Sequence, residues 1–425
     1  MIQALLQRLR IKDPIVWLFL IQLCSMGAME MSAPFWVLHL QTLGHFSTST
    51  LAALSAVVYA GPLLTAMLMT SFWGRLGDRV GHKPMLIRAL LALTVTQLWI
   101  AMTEDVVTLL LARLIQGAFA GFIAAAQAYG TTLVGREQRS LLIARLQIAT
   151  ALGSLTGPLF GGMLLGALSF QVVNLVAVVL CLACTLATFW MLPAARSVLT
   201  QAQPVKPQSS LAHEPSSSSA RIWSLWGGLL VGIVLIQAGK MMPQVFFGVY
   251  AVKVLHATAW QVGLSYGAIA SGLVLSASWW GRRFGRLPEQ TVLRQVEWVI
   301  WGCVVVTLWQ GWSHQIWLFM LARAAWGVLL GALLPVFYSL LSRRAAEPQQ
   351  GHALGLGNSA AKAGALLGLG LGTLSMMWLP QSYLFLPVAG VYLIAALGVR
   401  VLRICSTGSA HQARTVLSQA SAHHP

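Results

Sequence analysis

Apolar positions in this chain are continuous rather than alternating. Runs of roughly 20 residues with few or no charges recur from end to end, each long enough to cross a bilayer as a helix. Twelve are legible, over about 14–39, 49–72, 85–102, 106–130, 141–167, 170–193, 222–250, 262–280, 292–312, 315–342, 352–379 and 382–402. Short polar segments carrying Gly, Pro and Arg separate them. Only helices and closed barrels satisfy their backbone groups inside lipid, and runs this long exclude barrel strands. The pattern predicts an all-α integral membrane protein with twelve transmembrane helices.

Composition sharpens this picture. Hydrophobic residues make up 57% of the chain and charged ones 9%, where a soluble domain carries about 25% charged. The formal net charge of +17 raises the question of nucleic acid, but its distribution answers it. On these spans 22 of the 27 Lys and Arg fall on one side, and only Lys253 falls in an opposite-side loop. That asymmetry is the positive-inside rule. It predicts a multi-pass protein of a bacterial inner membrane with both termini in the cytoplasm and no nucleic-acid partner. The first run lacks a small-residue cleavage site and is read as a true span. Five cysteines lie in apolar runs or near the tail and read as packing residues. No His/Cys/Asp cluster has metal-site spacing, and His423-His424 is too little to count. Without a phosphate-binding Gly-Lys-Ser/Thr loop, ATP is not expected as the energy source.

Residues 194–221 interrupt the apolar pattern with Pro, Gln and a run of serines from Ser216 to Ser219. This predicts a cytoplasmic linker between an N-terminal bundle, 1–193, and a C-terminal bundle, 222–403, followed by a cytoplasmic tail, 404–425. The halves read as copies. Pro34 and Pro243 stand 209 residues apart, Trp73-Gly74-Arg75 and Trp280-Gly281-Arg282 stand 207 apart, and Leu111-Ala112-Arg113 and Leu321-Ala322-Arg323 stand 210 apart. Gly153, Gly157 and Gly161 match Gly364, Gly368 and Gly372 at 211. Two six-helix pseudo-repeats follow.

Between the second and third runs lies Gly74-Arg75-Leu76-Gly77-Asp78-Arg79-Val80-Gly81-His82-Lys83-Pro84, read as a Gly-punctuated basic turn joining two helices. Gly74 and Gly81 are expected to allow a tight turn and close helix approach. The stretch closely resembles the loop between helices 2 and 3 of the major facilitator superfamily of transporters. That resemblance implies a conformational latch made by Gly74, Asp78, Arg79, Gly81 and Lys83. A plain topology-setting turn is the alternative. The second copy, Gly281 to Arg286, lacks the acid.

Two further motifs extend the resemblance. Arg113-x-x-Gln116-Gly117 is similar to a family motif associated with proton coupling, and an arginine inside a span needs a partner or a wet cavity; snorkelling to the interface is the simpler reading. Gly153-x-x-x-Gly157-Pro158-x-x-Gly161-Gly162 offers a flat face for helix packing and a proline kink. It resembles, with Ala144 in place of an upstream glycine, the signature of proton-driven drug exporters.

Glu30 and Lys240 are intramembrane charges near the prolines of the first and seventh runs. Burial favours the neutral carboxyl and a nearby cation favours the charged one, the balance a proton carrier requires. Proton coupling by Glu30, Arg113 and Gln116 is one reading. A permanent Glu30–Lys240 ion pair and a cation-binding Glu30 are the others. Lys240, Lys362, Trp36, Tyr129, Phe246 and Tyr250 are candidates for the wall of a substrate cavity, among methionines suited to variable ligands.

These readings converge on a monomeric, proton-gradient-driven exporter of a small organic compound, working by alternating access without a cofactor, and not an enzyme. The Met-rich first run, ending in Pro34-Phe35-Trp36, resembles those of siderophore-associated transporters. A metabolite or siderophore-complex importer and a transporter-like membrane sensor are the alternatives.

Overall fold

The computed structural model describes residues 13–119, 121–135, 138–193, 217–285, 287–344 and 350–421. Most of the expected linker (194–216), the basic residues Arg8, Arg10, Lys12, Arg136, Arg196, Lys206 and Arg286, and His423-His424 lie outside them.

The described residues form an all-α protein. In chain order the helices are α1 Pro14–Glu30, α2 Trp36–Thr42, α3 Thr48–Val80, α4 His82–Ala101, α5 Val106–Phe119, α6 Phe122–Thr131, α7 Arg139–Ala167 and α8 Phe170–Met191. They continue as α9 Ser217–Met241, α10 Pro243–Lys253, α11 Ala259–Gly285, α12 Glu289–Trp312, α13 Ile316–Arg344, α14 Gln350–Trp378 and α15 Phe385–Ser421. Twelve membrane spans run through them, within a few residues of the apolar runs. Three spans are broken. Span 1 passes from α1 to α2 through a 3-10 turn at Ala33–Phe35, span 4 breaks at Gly121 with φ 100°, and span 7 breaks at Met242 between α9 and α10.

The helices cluster into two compact units. One holds Met1–Ser210 together with Phe247–Gly267, and the other holds Leu211–Phe246 with Ala268–Pro425. Within each, small residues bring helices to backbone contact. A methyl on Gly153 would lie 2.5 Å from the Leu23 carbonyl oxygen, and methyls on Gly157 and Gly161 would overlap those of Gly27 and Met31. In the second unit Gly364, Gly368 and Gly372 sit on the carbonyls of Val234, Ala238 and Met242. Glycines and carbonyls alike are 211 residues apart, so the two stripes are one packing device used twice. Trp73 repeats with Trp280: their Nε1 atoms donate to Ala118 O at 2.7 Å and Val328 O at 2.9 Å. Gly117 on the Pro62 backbone repeats as Gly327 on Ile269. The two halves are pseudo-repeats.

The stripe also sets a register. At 211, Met31 corresponds to Met242, so Pro34 and Pro243 are displaced from each other by two residues. Span 1 inserts a 3-10 turn at its break, whereas span 7 restarts at once with Pro243. Glu30 therefore corresponds to Met241, and Lys240 to Met29.

The basic stretch 74–84 also differs from expectation. It is not an extended turn, because α3 continues as helix through Val80. Gly81 alone makes the reversal, at φ 101° and ψ 152°, a conformation open to glycine and strained for other residues. A methyl on Gly74 would meet no atom within 4 Å, while one on Gly77 would lie 3.3 Å from the Met85 side chain. The close approach belongs to Gly77. The last turns of α3 need no loop because their charges stand in water.

Candidate functional site

Pro62 lies inside α3. It carries no N–H, so the carbonyl four residues earlier, Val58 O, loses its helical partner. Inside a bilayer that carbonyl must be satisfied from elsewhere. Arg113 of α5 supplies the donors: Nε at 3.2 Å and Nη2 at 3.0 Å both donate to Val58 O. Nη1 donates to Gln116 Oε1, one turn along the same helix. The guanidinium also stands over the Trp36 ring, 4.7 Å from its centroid. Trp36 is fully buried and meets Phe170 edge-on at 5.2 Å. Gly117 completes the motif by letting α5 approach the Pro62 backbone, and Thr65 Oγ1 bonds Leu114 O at 2.9 Å. The Arg-x-x-Gln-Gly spacing is thus built around a proline in another helix.

Glu30 is the last residue of α1, half-buried at the break of span 1. Its charge acts on Arg113 and on Tyr59. Tyr59 donates from its hydroxyl to Ala33 O at 2.6 Å, and Ser32 Oγ to Asn174 Oδ1 at 2.6 Å. The first satisfies a backbone carbonyl of the broken span, and the second ties the break to α8. Tyr59 is also within electrostatic reach of Tyr266. The first unit therefore brings Glu30, Arg113 and Gln116 near one another and adds Trp36, Tyr59 and Pro62 to them. Sequence could have flagged Pro62 as a source of an orphan carbonyl. It could not say which distant arginine would answer it.

The other candidates separate. Tyr129 is fully buried in the packed core of the first unit and donates to Pro193 O at 2.8 Å. Phe246 is fully buried against Phe385, 5.5 Å away edge-on. Tyr250 is fully buried on α10. Lys240 is half-buried in the last turn of α9, where the helix dipole favours a cation. Lys362 is exposed on α14. Arg323 on α13, the repeat counterpart of Arg113, is 2% exposed and lies over Phe319 at 5.2 Å and Trp326 at 5.9 Å.

The latch residues divide as well. Asp78 and Arg79 are exposed at the end of α3, and Asp78 makes no hydrogen bond or ion pair among the described residues. Lys83 caps the neighbouring helix instead: its Nζ donates to Phe189 O at 2.9 Å and Leu192 O at 2.5 Å, the unpaired carbonyls at the end of α8. Arg88 stacks over Trp73 at 3.5 Å. At the opposite ends of the helices, Asp105 accepts from Thr108, its N–H at 2.8 Å, which holds that carboxyl below the usual carboxylate range.

The fifth span packs on two sides. Gly157 and Gly161 face α1, while a methyl on Gly162 would lie 2.7 Å from Ala259 O and 2.9 Å from Gly263 Cα of α11. Gly263 in turn faces Pro158 O at 2.5 Å. Among the described residues no group of three His, Cys, Asp or Glu is placed to hold a metal.

Comparison with known proteins agrees with this architecture. The sequence pattern of the Major Facilitator Superfamily matches residues 18–295. The chain is 24% identical over 394 residues to the staphyloferrin B transporter of Staphylococcus aureus, covering 92% of each chain. It is 25% identical over 375 residues to the multidrug resistance protein MdtG of Dickeya zeae, covering 87% of this chain and 89% of that one. The fold resembles that of the nucleoside transporter NupG, with a TM-score of 0.70 at 12% identity over 92% of this chain and 100% of that one. The chain belongs to the Major Facilitator Superfamily and is a multi-pass secondary transporter of small molecules.

Proposed function

We propose that this protein exports a small organic compound in exchange for protons, with Glu30 as the proton carrier. The observation behind this reading is the placement of Glu30: a half-buried carboxyl at a helix break, within reach of a guanidinium anchored by Val58 O. Discontinuous spans are where transporters of this kind hold substrates and coupling ions. Arg113 has little freedom to move, so it acts as a fixed positive field. Protonation of Glu30 then changes the local charge by one, which is the input an alternating-access cycle needs. Lys240 at the break of span 7 offers a cation to a substrate carrying carboxylates. The relationship to the staphyloferrin B transporter supports a siderophore-like compound, and the MdtG relatives support drug-like molecules. In both readings the latch residue is Asp78.

Proton-loaded inside-out vesicles test this. Adding staphyloferrin B, or a lipophilic dye in a parallel experiment, should dissipate the proton gradient through the wild-type protein, read by acridine-orange fluorescence. Glu30→Gln should abolish that proton release while substrate-for-substrate exchange persists. Wild-type proton release by Glu30→Gln would remove Glu30 from the coupling step.

A further inference from the structure

A cavity of about 750 Å³ lies in the second unit between α12 and α15. On α12, Arg294, Glu297, Trp298 and Trp301 follow the i, i+3, i+4, i+7 spacing of one helix face, and on α15 Arg400 and Arg403 do the same. Glu297 pairs with Arg403 at 3.0 Å. Arg294 and Arg400 are exposed, with no hydrogen bond or ion pair among the described residues. Three guanidinia against one carboxylate leave the cavity with two uncompensated positive charges.

Depth separates the chemistry. Arg294 lies near the start of α12, and Trp298 and Trp301 stand about 6 and 10 Å further into the span. Trp298 is 67% exposed. Beyond the tryptophans both helix faces turn apolar and stay open: Val305 and Leu308 on α12, and Leu397 and Leu393 on α15, are exposed. Charge, then indole, then an open hydrocarbon track is the sequence of groups along a phospholipid.

We infer that this cavity is a binding site for an anionic phospholipid. Its phosphate groups pair with Arg294 and Arg400, as basic pockets between transmembrane helices do with such headgroups. The indole N–H groups face the ester carbonyls, and the acyl chains lie along the apolar track. A headgroup with two phosphates matches the two spare charges. A soluble anion would use the arginines but leave the track bare.

Native mass spectrometry of the purified full-length protein in detergent, titrated with cardiolipin, phosphatidylcholine or inorganic phosphate, tests this. Cardiolipin should be retained and phosphatidylcholine should not. Arg294→Gln/Arg400→Gln should weaken cardiolipin binding on the order of tenfold or more. The same charge removed elsewhere, in Arg75→Gln/Arg282→Gln, should leave it within about twofold. Equal loss in both double variants would reduce the effect to net charge. Equal retention of phosphatidylcholine, or competition by inorganic phosphate alone, would also overturn the assignment.

Discussion

At the scale of single residues, the centre of this protein is a debt created by one proline and settled by one arginine. Pro62 removes the donor for Val58 O, and Arg113 replaces it with two. A buried carbonyl left without a donor costs about 1–3 kcal/mol. Arg113→Met should lower the stability of the purified protein by about that much, measured as unfolding in detergent. Pro62→Ala returns the N–H, so the double variant Arg113→Met/Pro62→Ala should recover part of the loss. An additive double variant would mean that the carbonyl does not depend on the arginine. Transport by the double variant should stay impaired, because the proposed proton site would lack its fixed charge. The pairing of the two was not legible in the chain. The motif Arg-x-x-Gln-Gly marked the arginine, but its partner lies 55 positions away, and periodicity says nothing about contacts at that distance. Glu30 was legible as an intramembrane acid because charge inside a span is rare and costly. Tyr59 was not, since a tyrosine in an apolar run looks the same whether it packs or bonds a broken helix.

At the scale of elements, twelve spans were readable because bilayer thickness dictates run length, and the sequence has no other way to satisfy so much backbone. The turn at 74–84 misleads because Gly and basic residues signal a loop in either case. Only the backbone shows that the helix persists to Val80 and turns on Gly81. Substitution separates the glycines. Gly81→Ala should cost about 1–3 kcal/mol, because φ 101° with ψ 152° is a region essentially confined to glycine, while Gly74→Ala should be neutral or slightly stabilising in the same unfolding assay. Gly161→Leu, which drives a side chain into the Met31 backbone, should reduce the yield of folded protein sharply. Normal yield would show that α7 and α1 can part without harm. Lys83 illustrates a different limit: its place in the motif said nothing of the carbonyls at the end of α8 that its Nζ reaches.

At the scale of the whole molecule, the bias of basic residues predicts orientation. In a cysteine-free background, a membrane-impermeant maleimide applied to intact cells should label Thr258→Cys, between spans 7 and 8, and spare Ser421→Cys at the end of α15. The reverse labelling would invert the topology. Asp78→Asn should slow transport in vesicles without changing the amount inserted. Unchanged transport would leave the basic end of α3 with topology alone to determine.

The unbroken run of α3 through Val80 makes Asp78 the tip of a lever. Taking Pro62 as the pivot, the arm to Asp78 is 16 residues, about 24 Å. A tilt of roughly 10° therefore sweeps the carboxylate through about 4 Å, the whole working range of an ion pair. A charge mounted on a flexible loop would follow its partner and blur the change. In the proposed latch, a charge mounted on a stiff rod with a single-residue elbow at Gly81 would be either in contact or out of reach, and a small rotation deep in the membrane would be read at the surface as an on–off signal.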